Sequence, residues 1–161
     1  MLVYPGGGRE VAKRKGEAYQ LIWKRRMGFA RMAIEAGCRI VPFGAVGAED
    51  SYDILIDADS AILAPLQGVV TRLGGRWELA WPIARGLGLT PLPRPERFYF
   101  AFGEPINTTA WAGRHDDQRA LRAIRDRTRS SVQDRIAFLL DQREQDPDRD
   151  LLGRLRRKLP I

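Results

Sequence analysis

A chain of 161 residues with 44% hydrophobic and 29% charged residues has the size and composition of one folded domain, which excludes a wholly disordered protein. Its net charge of +7 predicts attraction to polyanions such as nucleic acid, anionic lipid headgroups or a phosphorylated ligand. No stretch approaches the roughly 18 uninterrupted apolar residues of a membrane span, and the single Cys38 cannot form an internal disulfide. The apolar neighbours of Cys38 predict a small core residue.

The opening stretch VYPGGGRE joins a strand signal to a glycine turn. The types of Leu2, Val3 and Tyr4 predict a buried strand. Three glycines after a strand let the backbone approach a ligand closely, and the guanidinium of Arg9 has the fork geometry that suits a phosphate. The spacings of nucleotide-binding glycine loops are absent, so a tight structural turn stays open as the alternative.

A helix followed by a strand comes next along the chain. The stretch MGFARMAIEAG predicts a helix that ends at Gly37. The residues that share its predicted apolar face are Phe29, Met32, Ala33 and Ala36. Residues 39–46, RIVPFGAV, predict a buried strand, with Pro42 placing it near a sheet edge or at the strand's end. This order of elements predicts an α/β fold with neighbouring parallel strands.

The middle of the chain changes in composition. Residues 65–95 are rich in Gly, Pro and Trp and predict an irregular surface excursion. Within it, Trp77 and Trp81 are four residues apart, as for an aromatic pair on the core or a contact with a membrane interface or acyl chain. The stretch RFYFAFGEPI then predicts a strand closed by Gly103, because aromatic residues alternate in it.

The last third of the chain predicts charged helices. A helix is expected from about Asp117 to Glu144, ended by the Asp146-Pro147 pair, and its apolar stripe consists of Leu121, Ile124, Thr128, Val132, Ile136 and Leu139. The tail DLLGRLRRKLPI is a short basic amphipathic segment, either a solvated helix packed through its leucines or an anchor to anionic lipid.

Three blocks of the sequence together resemble the glycerolipid and lysophospholipid acyltransferase family. They are VYPGGGRE, WKRRMGFARMAIEAGCRIVPFGAVG and FYFAFGEPI, and their order and spacing are similar to the later blocks of that family. The resemblance covers about the first two-thirds of the chain. It implies part of an acyltransferase-type α/β domain over residues 1–110, with a mixed sheet flanked by helices, and a charged helical extension over residues 111–161.

The resemblance also implies which residues bind substrate. Family members carry a loop of the form F-P-E-G-T-R-S that binds the acyl acceptor or its phosphate, and Arg9 matches the arginine of that loop. Gly6 stands in place of the glutamate, which is more similar to the branch of type-two diacylglycerol acyltransferases, transmembrane protein 68 and plant phytyl ester synthases, and which favours a neutral alcohol as acceptor. The residues predicted to bind the acceptor or acyl-CoA are Pro5, Gly6, Gly7, Gly8, Arg9, Glu10 and Pro42.

The catalytic block of the family has no counterpart in this sequence. Family members carry H-x-x-x-x-D upstream of the glycine loop, and its histidine is the general base that takes the proton of the acceptor hydroxyl. Here the single histidine is His115, with Ala120 five residues later, so His115 is predicted to be a solvated surface residue. No catalytic residue is therefore assigned within the chain, and the base is expected in sequence upstream of it.

The resemblance predicts an acyltransferase that moves an acyl group from acyl-CoA, its co-substrate, to a lipid alcohol such as diacylglycerol or a lysophospholipid. The expected partners are acyl-CoA, the lipid acceptor, the upstream half of the same enzyme and a membrane surface, bound peripherally on its cytoplasmic face. No metal, bound cofactor or nucleic acid is expected, because the sequence holds no zinc pattern or nucleic-acid-binding motif. The alternative is a non-catalytic module that binds anionic lipid or acyl-CoA.

Overall fold

The computed structural model of the chain describes residues 1–56, 60, 63–73, 83–87, 90, 92–149 and 153–155. Its helices are α1 (Gly8–Val11), α2 (Gly28–Glu35), α3 (Ala64–Arg72) and α4 (Gln118–Gln145), and its strands are β1 (Phe43–Val46), β2 (Asp53–Ile56), β3 (Ile83–Arg85) and β4 (Tyr99–Phe102). The predicted α/β class and the charged C-terminal helix are confirmed. Nowhere in these described ranges is a helix long and apolar enough to cross a bilayer.

The described strands form two antiparallel pairs. β1 pairs with β4, with Phe43 opposite Phe102 and Val46 opposite Tyr99, and β2 pairs with β3. The expectation of parallel neighbours is wrong for these pairs. The physical reason is that the chain leaves β1 at Val46 and enters β4 at the same end of the pair, which requires opposite strand directions.

Helix α4 covers one face of the β1–β4 pair. Its predicted apolar stripe is confirmed, because all six residues of the stripe are buried. Gly44 of β1 permits the close approach, since a Cβ atom there would lie 2.8 Å from the Cβ of Arg135. The side chain of Asp117 begins the helix by accepting hydrogen bonds from the backbone N–H groups of Arg119 and Ala120. The first core cluster contains Trp23, Val46, Val132, Ile136 and Leu139.

The other face of the β1–β4 pair is open. Tyr99 and Ala101 pack toward the core that α4 helps to form, whereas Phe100 and Phe102 are exposed on the opposite face. The ring of Phe43 stacks on Phe100 at a centroid distance of 5.7 Å. The predicted strand is confirmed, and its phenylalanines form an aromatic surface.

Helix α2 was predicted at the correct place, although its buried face differs from the predicted one. Gly37 follows it with a φ of +61°, a left-handed conformation that favours glycine. The buried residues are Ala30, Ala33 and Ile34. Met32 and Ala36 are exposed, because the side of α2 that meets Leu121 and Ile124 of α4 is the side of Ala30 and Ile34. Cys38 is also exposed, so its expected core position is wrong.

The first four residues do not form the predicted buried strand. Leu2, Val3 and Tyr4 are exposed coil, with Leu2 67% exposed. A strand needs a partner for its backbone N–H and C=O groups, and none of the described strands pairs with this segment.

Residues 65–95 are more regular than expected. α3 begins at Ala64, with a proline in its first turn, and β3 pairs with β2, so the expected irregular excursion is wrong at these elements. Trp77 and Trp81, for which an aromatic pair or a membrane contact is predicted, lie outside the described residues, as does most of the predicted basic tail.

Candidate functional site

The glycine loop, residues 5–10, is a tight turn that leads into the single helical turn of α1. The N–H of Gly7 donates to the carbonyl of Tyr4 at 3.0 Å, and the N–H of Glu10 donates to the carbonyl of Gly7 at 3.0 Å. Gly7 has a φ of +57°, which a residue with a side chain adopts only with strain. The predicted turn is therefore present, and its glycines let the backbone fold back on itself.

Glu10 holds the loop from within. One of its carboxylate oxygens accepts the N–H of Gly6 at 3.1 Å, and the other accepts the N–H of Ile22 at 3.1 Å. A Cβ atom on Gly6 would lie 2.1 Å from the carboxylate of Glu10. The carboxylate of Glu10 therefore occupies the space that a side chain on Gly6 would need. Through its bond to Ile22, Glu10 also links the loop to the chain twelve residues later.

Arg26 holds the loop from outside. Its guanidinium donates to the carbonyl of Gly6 and, at 3.3 Å, to the carbonyl of Pro5. A Cβ atom on Gly7 would lie 3.1 Å from the same guanidinium nitrogen. Both carbonyls are thus turned toward Arg26, and the loop is fixed by a cation on one side and a carboxylate on the other.

Arg9 is engaged with a neighbouring carboxylate in this structure. Its guanidinium donates to Glu17 at 2.6 Å and to the carbonyl of Ala12 at 3.1 Å. Burial acts to raise the pKa of the Glu17 carboxyl, but the hydrogen bonds from Arg9 and from the N–H of Arg14 outweigh burial and hold that pKa below its usual value. The predicted anion-binding role of Arg9 remains a prediction, since Glu17 occupies its guanidinium here.

The loop forms part of the wall of a groove of about 1250 Å³. Pro5, Gly7 and Glu10 line it, together with apolar residues of the N-terminal segment, α2 and the open face of β1. Representative apolar lining residues are Leu2, Met32, Ala36, Val41, Phe43 and Ala45. The backbone of the loop and these apolar side chains therefore line one groove.

Pro42, predicted to bind substrate, is not among the described residues that line the groove. It is almost completely buried, and its carbonyl accepts the N–H of Gly103 at 2.8 Å. Its neighbours Val41 and Phe43 both line the groove. The structure thus places Pro42 behind the groove wall, where it sets the position of the two lining residues on either side of it.

The half-buried phenol of Tyr19 lies beside an ion pair next to residues 48 and 49 of the groove wall. Arg143 donates to Asp50 at 2.6 Å, and the hydroxyl of Tyr19, a groove-lining residue, also donates to Asp50. Burial raises the pKa of Tyr19 well above its usual value, and the hydrogen bond to Asp50 raises it further. Tyr19 therefore acts as a hydrogen-bond donor to Asp50 in this structure.

His115 lies in the loop that precedes α4. It is partly exposed and lies 3.2 Å from Asp116, which also pairs with Arg31 at 2.9 Å. This agrees with the predicted surface position of His115. It is not among the described residues that line the groove.

Sequence reasoning missed the contacts that shape the loop. Arg26 and Ile22 contact the loop although they are distant from it in sequence and follow no helix or strand spacing. The pairing of Glu17 with Arg9 was also not predicted. Of the partners in these contacts, only Glu10 was marked by the sequence, because it belongs to the motif VYPGGGRE. Contacts between irregular segments leave no periodic pattern in a sequence, so they become visible only in the structure.

Comparison with known proteins identifies similar sequences. The family profile described as diacylglycerol acyltransferase matches residues 1–118. Phytyl ester synthase 1 and phytyl ester synthase 2 of Arabidopsis thaliana, both described as chloroplastic, are 34% and 38% identical over 96% of this chain. An uncharacterised protein of Mycobacterium leprae is 36% identical over 86% of the chain.

The relatives are considerably longer than the chain. The matched region is 24% of phytyl ester synthase 1, 23% of phytyl ester synthase 2 and 36% of the mycobacterial protein. The chain thus spans about a quarter of the plant relatives that it matches. No solved structure gives a significant match.

Proposed function

Because the chain belongs to the diacylglycerol acyltransferase family, we propose that it forms the acceptor-side and acyl-chain-binding part of an enzyme that transfers an acyl group from acyl-CoA to a lipid alcohol. The observation that carries this proposal is that the glycine loop and a set of apolar side chains line the same groove, of about 1250 Å³. A lipid alcohol needs both features, since its hydroxyl is polar and its tail is hydrocarbon.

The groove wall supports binding of a hydrocarbon chain. Val41 and Ala45 are exposed groove-lining residues, and Phe43 adds an aromatic surface between them. Each methylene that leaves water against such a wall contributes roughly 0.8 kcal/mol. A chain of many methylenes would therefore gain most of its affinity there, while the loop would position the reacting end.

The acceptor proposed is a neutral alcohol. The acidic residue in the substrate loop of phosphate-using relatives is replaced here by Gly6, whose lack of a side chain leaves room for the carboxylate of Glu10. The plant relatives are named for phytyl esters, and phytol is a long-chain neutral alcohol. We place diacylglycerol and isoprenoid alcohols ahead of lysophospholipids on these grounds.

The transfer joins the acceptor oxygen to the acyl carbonyl carbon and breaks the carbon–sulfur bond of the thioester, so that CoA leaves as a thiol. A general base must take the proton of the attacking hydroxyl. The described residues that line the groove include no histidine, and both of their carboxylates are engaged. Glu10 accepts two backbone N–H groups, and Glu49 accepts hydrogen bonds from Lys13 and from the N–H of Tyr19. We therefore propose that the histidine block lies in a part of the enzyme outside these 161 residues.

Arg9 belongs to this proposal as the group that binds a phosphate of CoA or of the acceptor. Its guanidinium has the geometry to make two parallel hydrogen bonds, and it lies in the turn that follows the glycines. To bind an anion, the guanidinium of Arg9 must release the Glu17 carboxylate, which lies 2.6 Å from it. Glu17 therefore competes with the ligand for Arg9. We also propose that the enzyme works peripherally at the cytoplasmic face of a membrane.

The alternative is that the chain binds a ligand but does not take part in catalysis. In that case the chain is a non-catalytic module that holds acyl-CoA or an anionic lipid. The groove itself favours this alternative, because no histidine stands among its described lining residues. The two functions differ in whether the whole protein transfers an acyl group, whereas both predict a ligand in the groove.

The test is a pair of tryptophan substitutions. Ala45 lies on the open face of β1 in the groove, and Ala123 is exposed on α4 away from it. Ala45→Trp should weaken the binding of a long-chain acyl-CoA and of phytol at least about tenfold, equivalent to about 1.4 kcal/mol. Ala123→Trp should leave both affinities unchanged. Equal affinities in the two variants would show that the groove is not the binding site.

Acyl transfer is measured on the same protein. The 161-residue chain supplied with acyl-CoA and phytol or diacylglycerol should give only background ester. Turnover that disappears in His115→Ala would place the base in this chain and contradict the proposed division of the site. Acyl transfer by a protein that joins this chain to a histidine block would support the enzyme, and binding without transfer by that protein would support the binding module.

A further inference from the structure

Two basic segments of the chain lie side by side. Residues 21–26 contain three cations, and residues 118–129 contain five arginines and one aspartate. The guanidinium of Arg125 donates to the carbonyl of Lys24, and that of Arg129 donates to the carbonyl of Leu21 at 3.5 Å. The two segments carry the same net charge as the whole chain, +7, so the remainder of the sequence is balanced.

The first segment is a turn anchored by a buried tryptophan. Trp23 is 3% exposed in the core beneath α4, and the N–H of Arg26 closes the turn on its carbonyl at 3.1 Å. Lys24 has a φ of +50° and forms the tip of the turn with Arg25, where both side chains are exposed. The anchor below and the exposed cations above give this turn a fixed outward orientation.

The second segment adds a stripe of arginines along α4. Arg119, Arg122, Arg125 and Arg129 are spaced three, three and four residues apart, which places them on one side of a helix. Arg119 and Arg122 are exposed. We call the combined surface the basic face, and its members are Lys24, Arg25, Arg26, Arg119, Arg122, Arg125 and Arg129.

We propose that the basic face docks the protein on a membrane surface that carries anionic headgroups. Cations on a surface are attracted to such a membrane and gain affinity together. Arg26 connects this surface to the glycine loop, because its guanidinium bonds to the carbonyls of Pro5 and Gly6. Docking would therefore bring the loop close to the layer in which a lipid alcohol is dissolved, and in this respect the inference rests on the proposed function.

That connection also favours a membrane over a nucleic acid. A polynucleotide would use the same charges but would have no use for the adjoining groove. The stripe from Arg119 to Arg129 is about 15 Å long at 1.5 Å per helical residue, so it presents several cations to a flat surface at once. Each exposed Lys or Arg near an anionic surface changes the partition coefficient by about fivefold.

The experiment compares two double variants with equal net charge. R25Q/R122Q removes two exposed cations of the basic face, and R72Q/R127Q removes two exposed arginines elsewhere. Arg127 is the closer control, because it lies on α4 about 140° around the helix from Arg122. Binding is measured by flotation with vesicles of equal parts phosphatidylcholine and phosphatidylglycerol, with pure phosphatidylcholine vesicles beside them.

The wild-type chain should float with the anionic vesicles and not with the neutral ones, and binding should weaken as salt increases. R25Q/R122Q should lose about 25-fold in affinity, and R72Q/R127Q less than about threefold. Equal losses would mean that net charge alone attracts the chain, which would overturn the proposal. If R25Q/R122Q does not fold, as judged by its circular dichroism melt, K24Q/R119Q replaces it.

Two further outcomes separate the alternatives. Binding to duplex DNA that R25Q/R122Q abolishes, without any flotation of the wild-type chain, would make the basic face a nucleic-acid site and overturn the membrane proposal. Flotation does not require acyl transfer or a ligand in the groove. A chain that floats as expected but binds neither acyl-CoA nor phytol would therefore contradict the proposed function and leave the docking surface intact.

Discussion

The glycine loop and the layer of β1, β4 and α4 are stabilised in different ways. The loop is held by polar side chains that bond to backbone groups, chiefly Glu10 and Arg26. The α4 layer is held by apolar packing, in which Ile124, Val132 and Ile136 are buried along one helix face. The first region is thus fixed by a few directional contacts, and the second by many contacts without direction.

This difference predicts different responses to substitution. The free energy gained by burying apolar groups is proportional to the area buried. The loss of one large side chain from a packed core also leaves a cavity, so it lowers the free energy of unfolding by several kcal/mol. A polar clamp distributes its effect over two or three hydrogen bonds of about 1 kcal/mol each. Variants in the α4 layer should therefore cost the most stability, whereas variants in the loop should cost less and should also change the shape of the site.

The largest effect is expected at Ile124, which is completely buried between α2 and α4. Ile124→Ala should lower the free energy of unfolding by about 2–5 kcal/mol, because it removes buried methyl groups and leaves a cavity. Urea denaturation followed by circular dichroism measures the change. Phe138→Ala, at a residue 48% exposed on the same helix, should cost about 1 kcal/mol or less. Similar losses in the two variants would contradict the picture of a packed α4 layer.

The sequence predicted the structure best where buried residues recur at the regular spacing of a helix or a strand. The stripe on α4 was predicted residue by residue, because one helix face meets the core and each turn repeats the requirement. The alternation in Tyr99–Phe102 identified β4 in the same way. The exposed state of Leu2 to Tyr4 could not be predicted, since a strand-forming composition becomes a strand only where a partner edge is present.

The turn of the glycine loop was predicted where the structure has it, but its contacts were missed. The partners of that loop are as much as 21 residues away in sequence. The ion pair between Arg9 and Glu17 spans an irregular segment in which no spacing rule applies. Directional contacts of this kind depend on the path of the backbone, which the composition of a loop does not determine.

An intermediate effect is expected at Glu10, where a single carboxylate accepts two backbone N–H groups. Glu10→Ala should cost about 1–3 kcal/mol in stability, because both N–H groups lose their acceptor. It should also weaken acyl-CoA binding, since the loop is no longer fixed against Ile22. Glu35→Ala, at an exposed position at the end of α2, should change neither quantity. A Glu10→Ala protein with unaltered stability and affinity would show that the clamp contributes nothing.

The smallest effect on stability, and the sharpest on function, is expected at the ion pair of Arg9 and Glu17. Both side chains are less than one-third exposed, and Glu17→Gln should cost about 1 kcal/mol or less. The pKa of Glu17 is lowered in the folded state, so the contribution of the pair is present above the ordinary carboxyl pKa of 4.5 and is lost as the pH falls through the folded value. The stability difference between wild type and Glu17→Gln should therefore disappear in acid.

Ligand binding by the same variants distinguishes the two roles of Arg9. If Arg9 binds a phosphate, Glu17→Gln should strengthen the binding of CoA, because it removes the carboxylate that competes for the guanidinium. Arg9→Ala should weaken that binding, and Arg9→Lys should not restore it, since an ammonium cannot make the two parallel hydrogen bonds of a guanidinium. If Arg9 only supports the loop, all three variants should melt earlier while their affinity for CoA stays at the wild-type value. Isothermal titration with CoA at pH 7 and a melting curve for each variant decide between these results, because the phosphate role requires affinities that change in opposite directions for Glu17→Gln and Arg9→Ala.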